Sequence, residues 1–316
     1  MGSKLLEQCN NFVFEMDSIM PIKVIKEQVL TGHKDSVYSL TAISDNRLYS
    51  AGGDGLVVEW DLTKPDSGKI VAKVNASIYA IAGHDNKLVV GENFQGIHVL
   101  DMVDKKEHQS LKLTQGYIFD IKRVGKNYWI VGAGGQLFVV SETMEVLHKA
   151  VLSNANARCI LHLPKRNEVA IGLSDNTIRI LNQDTFESCW QIEAHQNSVF
   201  TLAHTADQRY MISGSRDARL KIWEVDNFTL HKEIVAHMYA INHLDFSPDG
   251  QYFVTCSMDK SLKVWETRTF RLLKVIDKAR HAGHSTSVNR VSWMSENRIA
   301  SCSDDRTISI WSVNKS

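Results

Sequence analysis

Residues 237–267 read HMYAINHLDFSPDGQYFVTCSMDKSLKVWET. Short runs rich in β-branched and aromatic residues are cut by turn residues, Ser-Pro-Asp-Gly at 247–250 and Met-Asp-Lys-Ser at 258–261. That is strand and hairpin chemistry, with no stretch of helical period to compete. The same paragraph recurs from His33 (HKDSVYSL, then RLYSAGGDGLVVEWDL), from His195 (HQNSVFTL, then RYMISGSRDARLKIWEV) and from His284 (HSTSVNRVSWMSENRIASCSDDRTISIWSV). Weaker copies fill the space between: SIYAI with KLVVGENFQGIHVLDM, YIFDIKRVGKNYWIVGAGGQLFVVS, and ARCILHLPKRNEVAIGLSDNTIRILN.

With Val37 as the mark, equivalent positions fall at Ile78, Ile118, Arg158, Val199, Ile241 and Val288, in steps of 41, 40, 40, 41, 42 and 47 residues. Seven units near this period, each with four strands, are the signature of a propeller. The chain resembles the WD-repeat (WD40) β-propeller family through Gly32-His33 and Trp60-Asp61 in the first copy and Trp223-Glu224, Trp265-Glu266 and Trp311-Ser312 later. The fold expected is all-β: a seven-bladed propeller of four-stranded antiparallel blades occupying residues 21–316, with residues 1–20 as an amino-terminal extension. The last copy ends almost at the carboxyl terminus and lacks an outer strand. The run Ile22 to Leu30 is a strand without a blade, so pairing the two closes the ring and removes an exposed edge.

Composition narrows the function. The 316 residues carry 36 Lys+Arg against 36 Asp+Glu, with pI about 7.2, which argues against a dedicated nucleic-acid or polybasic membrane binder. Cys9, Cys159, Cys189, Cys256 and Cys302 are scattered and odd in number, as reduced intracellular thiols are. No apolar run reaches membrane-spanning length, and Glu7, Glu15 and Asp17 interrupt any leader-like stretch. The location expected is the cytoplasm.

Four copies repeat one polar quartet: His33, Ser50, Asp54 and Trp60; His195, Ser213, Asp217 and Trp223; His237, Thr255, Asp259 and Trp265; His284, Ser301, Asp305 and Trp311. Ser, His and Asp invite comparison with a hydrolase triad. A nucleophile, however, needs one exposed position beside an oxyanion site, and four pseudo-equivalent copies look like a repeated structural part. The family resemblance implies a buried chain of hydrogen bonds from Asp to His to hydroxyl to Trp. Copies two to four, with Val74, Thr114 and Asn154 at the histidine position, are then expected to rely on apolar packing alone. His281 and His284 have metal-compatible spacing, but no nearby ligand completes a set, and Gly132 to Gly135 reads as a hairpin turn because no Lys-Ser/Thr follows it. No metal or cofactor is expected.

Function in such a frame resides in loops. The narrow face bearing the histidine loops gathers Lys34, Tyr38, Tyr79, Tyr117, Phe119, Arg158, Phe200, Arg216, Met238, Met258 and Asp304. Aromatics beside the mark residue either pack near the channel or, if exposed, supply hot-spot chemistry for a partner. The expectation is a non-catalytic scaffold or adaptor, monomeric on its own, that binds peptides or partner proteins on this face. The rivals are an enzyme or small-molecule binder using the central channel, which would need convergent ionisable groups where the inferred rim offers Asp304 as its sole acid, and a nucleic-acid-associated factor using the basic segment 271–281.

Overall fold

The computed structural model describes residues 22–64 and 68–315, so the 1–20 extension and the turn at Pro65 lie outside the described residues. The described residues form seven four-stranded antiparallel sheets. Blades 1 to 6 run in chain order over residues 37–73, 78–112, 118–151, 157–193, 199–235 and 241–276; blade 7 combines residues 288–315 with the strand Ile22–Leu30. That strand lies antiparallel to Ile308–Lys315, with Val24 opposite Val313 and Leu30 opposite Ile308. Ring closure is therefore made by a borrowed strand.

One correction to the repeat frame matters later. The first strand of blade 4 is Ala157–Leu163, and Ala157 pairs with Leu173 as Val37 pairs with Gly52. The mark residue is Ala157, not Arg158, and the position facing the channel is Arg158 rather than Cys159. Alternation has period two, so a one-residue slip inverts which side chains face the core. The slip arises because copy four lacks the histidine and tryptophan that anchor the frame elsewhere.

Each blade's inner strands are buried, and its outer strand is largely exposed. Apolar clusters lie between successive blades, with Trp129, Tyr128, Phe253 and Trp311 among the largest fully buried side chains. Inner strands are also stitched across blade boundaries. Ser39 Oγ accepts the Ile81 amide (3.2 Å), Asp120 Oδ2 that of Ile160 (2.9 Å), Thr201 Oγ1 that of Leu244 (3.2 Å) and Asp245 Oδ2 that of Trp293 (2.7 Å). Close approach is needed for this: a Cβ on Gly214 would stand 2.9 Å from Ile241 Cγ2 of the next blade.

The basic segment is the outer strand Arg271–Ile276 of blade 6, and the enlarged connection after it holds a single helical turn, Lys278–His281, capped by Asp277, which accepts the Arg280 amide at 2.8 Å. Because Val24 is buried against the blade 6 and 7 core, Val24→Asp should cost about 3 kcal/mol or more, the penalty for an unpaired buried charge. A urea midpoint equal to that of the wild type would show that this strand does not close the ring in solution.

Candidate functional site

The narrow face begins with the turns between second and third strands. In the four quartet blades an Asp precedes a residue in the left-handed region: Gly55 (φ 69°), Ala218 (67°), Lys260 (71°) and Arg306 (69°). Three of these are not glycine and carry a steric cost of roughly 1 kcal/mol each. The Asp side chain holds the turn. Asp217 Oδ1 accepts the Arg219 amide (3.0 Å), Asp259 Oδ1 that of Ser261 (3.0 Å) and Asp305 Oδ1 that of Thr307 (3.1 Å). Its second oxygen reaches the loop entering the blade, accepting the amides of Lys34 (2.8 Å), Gln196 (3.0 Å), Met238 (3.1 Å) and Ser285 (3.0 Å) in turn.

The histidines complete the chain. His33, His195, His237 and His284 place Nδ1 at 3.0, 3.0, 2.9 and 3.0 Å from Asp54, Asp217, Asp259 and Asp305. With Nδ1–H donated to the carboxylate, Nε2 accepts from the hydroxyls of Ser50, Ser213, Thr255 and Ser301 at 2.7, 2.7, 2.8 and 2.9 Å. Each hydroxyl oxygen then accepts the indole N–H of Trp60, Trp223, Trp265 or Trp311 at 2.8, 2.9, 2.9 and 2.9 Å. These hydroxyls are fully buried, so none can meet a substrate as a nucleophile. His284 is committed to this chain, and among the described residues no three His, Cys, Asp or Glu side chains gather as a metal-binding set.

The electrostatics match that assignment. Burial pushes the Asp217 carboxyl up, but the His195 ring and the Gln196 and Arg219 amides outweigh it and hold its pKa at about 2. Asp259 and Asp305 are likewise held well below the usual carboxylate range, burial being overcome by His237 and Ser261 in one and by His284 and Thr307 in the other. Burial lowers the pKa of His237 against the pull of Asp259. The pair is thus carboxylate and neutral imidazole.

Blades 2 to 4 are not held by apolar packing alone. Ser153, rather than Asn154, occupies the histidine position of blade 4 and donates to Asp175 (2.5 Å), which also accepts the Thr177 amide (3.1 Å). In blade 3 Thr114 donates to Gln136 (2.6 Å), and in blade 2 Glu92 accepts the Asn75 amide (3.0 Å) and meets His98 at 2.9 Å. In blades 3 and 4 a shorter hydroxyl side chain stands where the histidine stands elsewhere, and in blade 4 the one-residue slip hides it in the sequence.

Inside this ring of turns lies the channel mouth. Tyr38, Tyr79, Phe119, Arg158 and Phe200 all follow the mark residue, are half-buried, and line one cavity of about 350 Å³ with Asn242 and Asn289. Tyr38 meets Tyr79 edge-on (4.8 Å), and Tyr79 stacks on Phe119 (6.0 Å, 2°). The Arg158 guanidinium sits between Phe119 (4.2 Å) and Phe200 (5.0 Å), and its Nε donates to Ser174 Oγ (3.1 Å). Burial and then the neighbouring Arg216 lower its pKa, and ring faces supply the compensating attraction.

Above this layer Tyr117, 40% exposed, stacks beside Tyr79 and Phe119 and packs against Phe94 (4.8 Å). Phe94 escaped the sequence reading. It is 45% exposed at φ 67°, in the turn position where other blades carry the aspartates Asp54, Asp175, Asp217, Asp259 and Asp305, one place before the left-handed residue of those turns. A bulky exposed side chain in left-handed backbone is a strained arrangement, and such strain collects at functional sites. An aromatic at that repeat position was the available signal. On blade 6, Met238 is 82% and Met258 57% exposed, and Tyr239, also unforeseen, is exposed between them. Lys34 and Arg216 are exposed too, while Asp304 accepts from Asn289 Nδ2 (2.7 Å).

Asp304 is not the only acid near the channel. Deeper on the wall, Asp120, Lys122, His243 and Arg290 line the same cavity. Arg290 Nη2 lies 3.8 Å from Asp120 Oδ1. Burial, with Arg290 and Lys122 nearby, holds the pKa of His243 well below its ordinary value. Asp245, buried beside them, accepts the Trp293 and Phe246 amides, and burial raises its pKa. These residues sit two and four places beyond the mark, positions the sequence reading did not single out.

The family model for the WD domain, G-beta repeat, matches residues 25–61, 186–224, 228–266 and 276–312, the segments that carry the quartets. The solved WD40 β-propeller domain of Doa1 is similar over 92% of this chain and 97% of that chain, with a TM-score of 0.82 and 19% identity, a likeness of fold. No curated protein matches the chain.

Asp259→Ala should cost about 1 to 3 kcal/mol, because it strands the His237 N–H and two turn amides; an unchanged melting temperature would refute that role. Acid should destabilise in two stages. His237, lowered from 6.5, takes up its proton first in the unfolded chain, so stability falls once pH drops below about 6.5. The stability contributed by Asp217, Asp259 and Asp305 is present above the ordinary value of 3.8 and is lost as pH falls from there. Melting temperatures recorded from pH 8 to pH 2 check both, and a flat curve between pH 7 and pH 5 would contradict the first.

Proposed function

Since the chain belongs to the WD-repeat family of β-propellers, whose members generally bind other proteins or peptides, we propose that it is a non-catalytic interaction scaffold whose narrow face receives a peptide or partner loop. The observation that carries this reading is the aromatic ridge of Phe94 and Tyr117 beside the Phe119, Arg158 and Phe200 stack. Aromatic and arginine side chains on a rigid, partly desolvated surface are what binding hot spots are made of. Exposed Met238 and Met258 on the far side of the mouth add adaptable apolar contact. Binding on such a preformed surface requires little backbone movement.

The hydrolase-triad comparison fails because the repeated hydroxyls are buried, whereas the channel rival finds ionisable groups converging on the cavity in Asp120, Lys122, His243 and Arg290. The nucleic-acid rival loses some of its support because Arg280 is paired with Asp277 and Arg271 lies 3.8 Å from Glu266. The reading places the ring, a monomer on its own, in a reducing cytoplasm, consistent with the free thiols of Cys159, Cys189, Cys256 and Cys302. Among the described residues no helix is long and apolar enough to cross a membrane.

Arg216→Glu with Tyr117→Ala should abolish capture of the cellular partner in affinity purification while leaving the melting temperature near that of wild type; retained capture would move the site to another face. Phe94→Gly should leave the melting temperature unchanged or raised, because relief of roughly 1 kcal/mol of backbone strain offsets the lost Tyr117 contact. The same variant should weaken capture, and full capture by it would remove Phe94 from the site.

A further inference from the structure

The deep channel wall has a charge imbalance that the proposed rim site draws on only through Arg158. Three cations, Lys122, Arg158 and Arg290, line the cavity with one carboxylate, Asp120. That carboxylate is already engaged, since Oδ1 accepts the Ile121 amide (3.1 Å) and Oδ2 the Ile160 amide (2.9 Å). Its distance from Arg290, 3.8 Å, is too long for a hydrogen bond. Asp245, the other nearby acid, spends its oxygens on the Trp293 and Phe246 amides. Arg158 bonds a neutral hydroxyl, and among the described residues Lys122 has no ion pair or hydrogen-bond partner. Three half-buried cations therefore line about 350 Å³ against two nearby carboxylates, Asp120 and Asp245, and only Arg290 has a carboxylate within 4 Å, at 3.8 Å from Asp120.

Low local dielectric makes such unpaired charge costly and makes a matching anion strongly favoured. Arg290 offers a planar fork and Lys122 a mobile ammonium, the usual pairing for oxyanion oxygens. We propose that the channel is a binding site for a multiply charged oxyanion, a phosphate or polyphosphate group, held by Lys122 and Arg290 with Arg158 above it. The site goes beyond partner binding at the rim and does not require it.

The test is isothermal titration calorimetry of the full chain with sodium pyrophosphate at low ionic strength. Saturable one-to-one binding is expected, weakened about tenfold or more by Lys122→Gln and by Arg290→Gln, since each removes a charge-assisted contact. Asp120→Asn, which removes the one carboxylate lining the cavity, should tighten binding, a change that damage to the fold would not produce. Should Arg290→Gln fail to fold, Lys122→Gln decides alone. Absence of saturable binding up to roughly 10 mM, barely 3 kcal/mol of affinity, overturns the proposal, as does equal affinity in wild type and Lys122→Gln. A second arm locates the anion's source: a phosphoserine hexapeptide binding tighter than inorganic phosphate assigns it to a partner's side chain, and the reverse order assigns it to a free small molecule, with the site supported either way.

Discussion

A single carboxylate sets the geometry of each well-formed blade. In blades 5, 6 and 7 one oxygen of Asp217, Asp259 or Asp305 fixes a turn that contains a left-handed non-glycine residue, and the other fixes the loop arriving from the neighbouring blade. The attached histidine carries this constraint inward to a tryptophan under the blade. Because every link is buried and satisfied, the network specifies one arrangement where interchangeable apolar side chains would permit several. The loops of the narrow face inherit their positions from it, and so does whatever they bind.

Much of this was legible in the sequence, for reasons that differ by element. The blade count followed from spacing, and closure from a surplus strand at one end and a missing one at the other. Quartet blades were readable because His, Asp and Trp at fixed offsets leave no freedom in register. Blade 4 was misread by one residue because Ser153 and Asp175 accomplish the same restraint with side chains too common to mark a frame. Arg158 changed meaning with that slip, from a strand marker to a cation between two phenyl rings.

The channel wall was illegible for another reason. Asp120, Lys122, His243 and Arg290 come from three different blades, and only closure of the circle brings them together. No local pattern encodes that convergence. Phe94 is a middle case: its position in the repeat was visible, but its exposure and backbone strain belong to the folded turn. Sequence periodicity thus reports the frame well and its contents poorly, since repetition preserves what all blades share and function draws on where they differ.

The strand borrowed by blade 7 carries a consequence for how the protein is made. Leu30 cannot meet Ile308 until the segment carrying Ile308 has been made, so six blades can assemble in order while the ring stays open. Throughout synthesis the first segment waits with its backbone amides and carbonyls unpaired, a template for pairing with other chains. Contacts this distant in sequence form late because the intervening chain must first be confined. Closure of the ring therefore waits on synthesis of its last strand, and a ring cut short before Ile308 would retain most of its blades yet present a sticky edge.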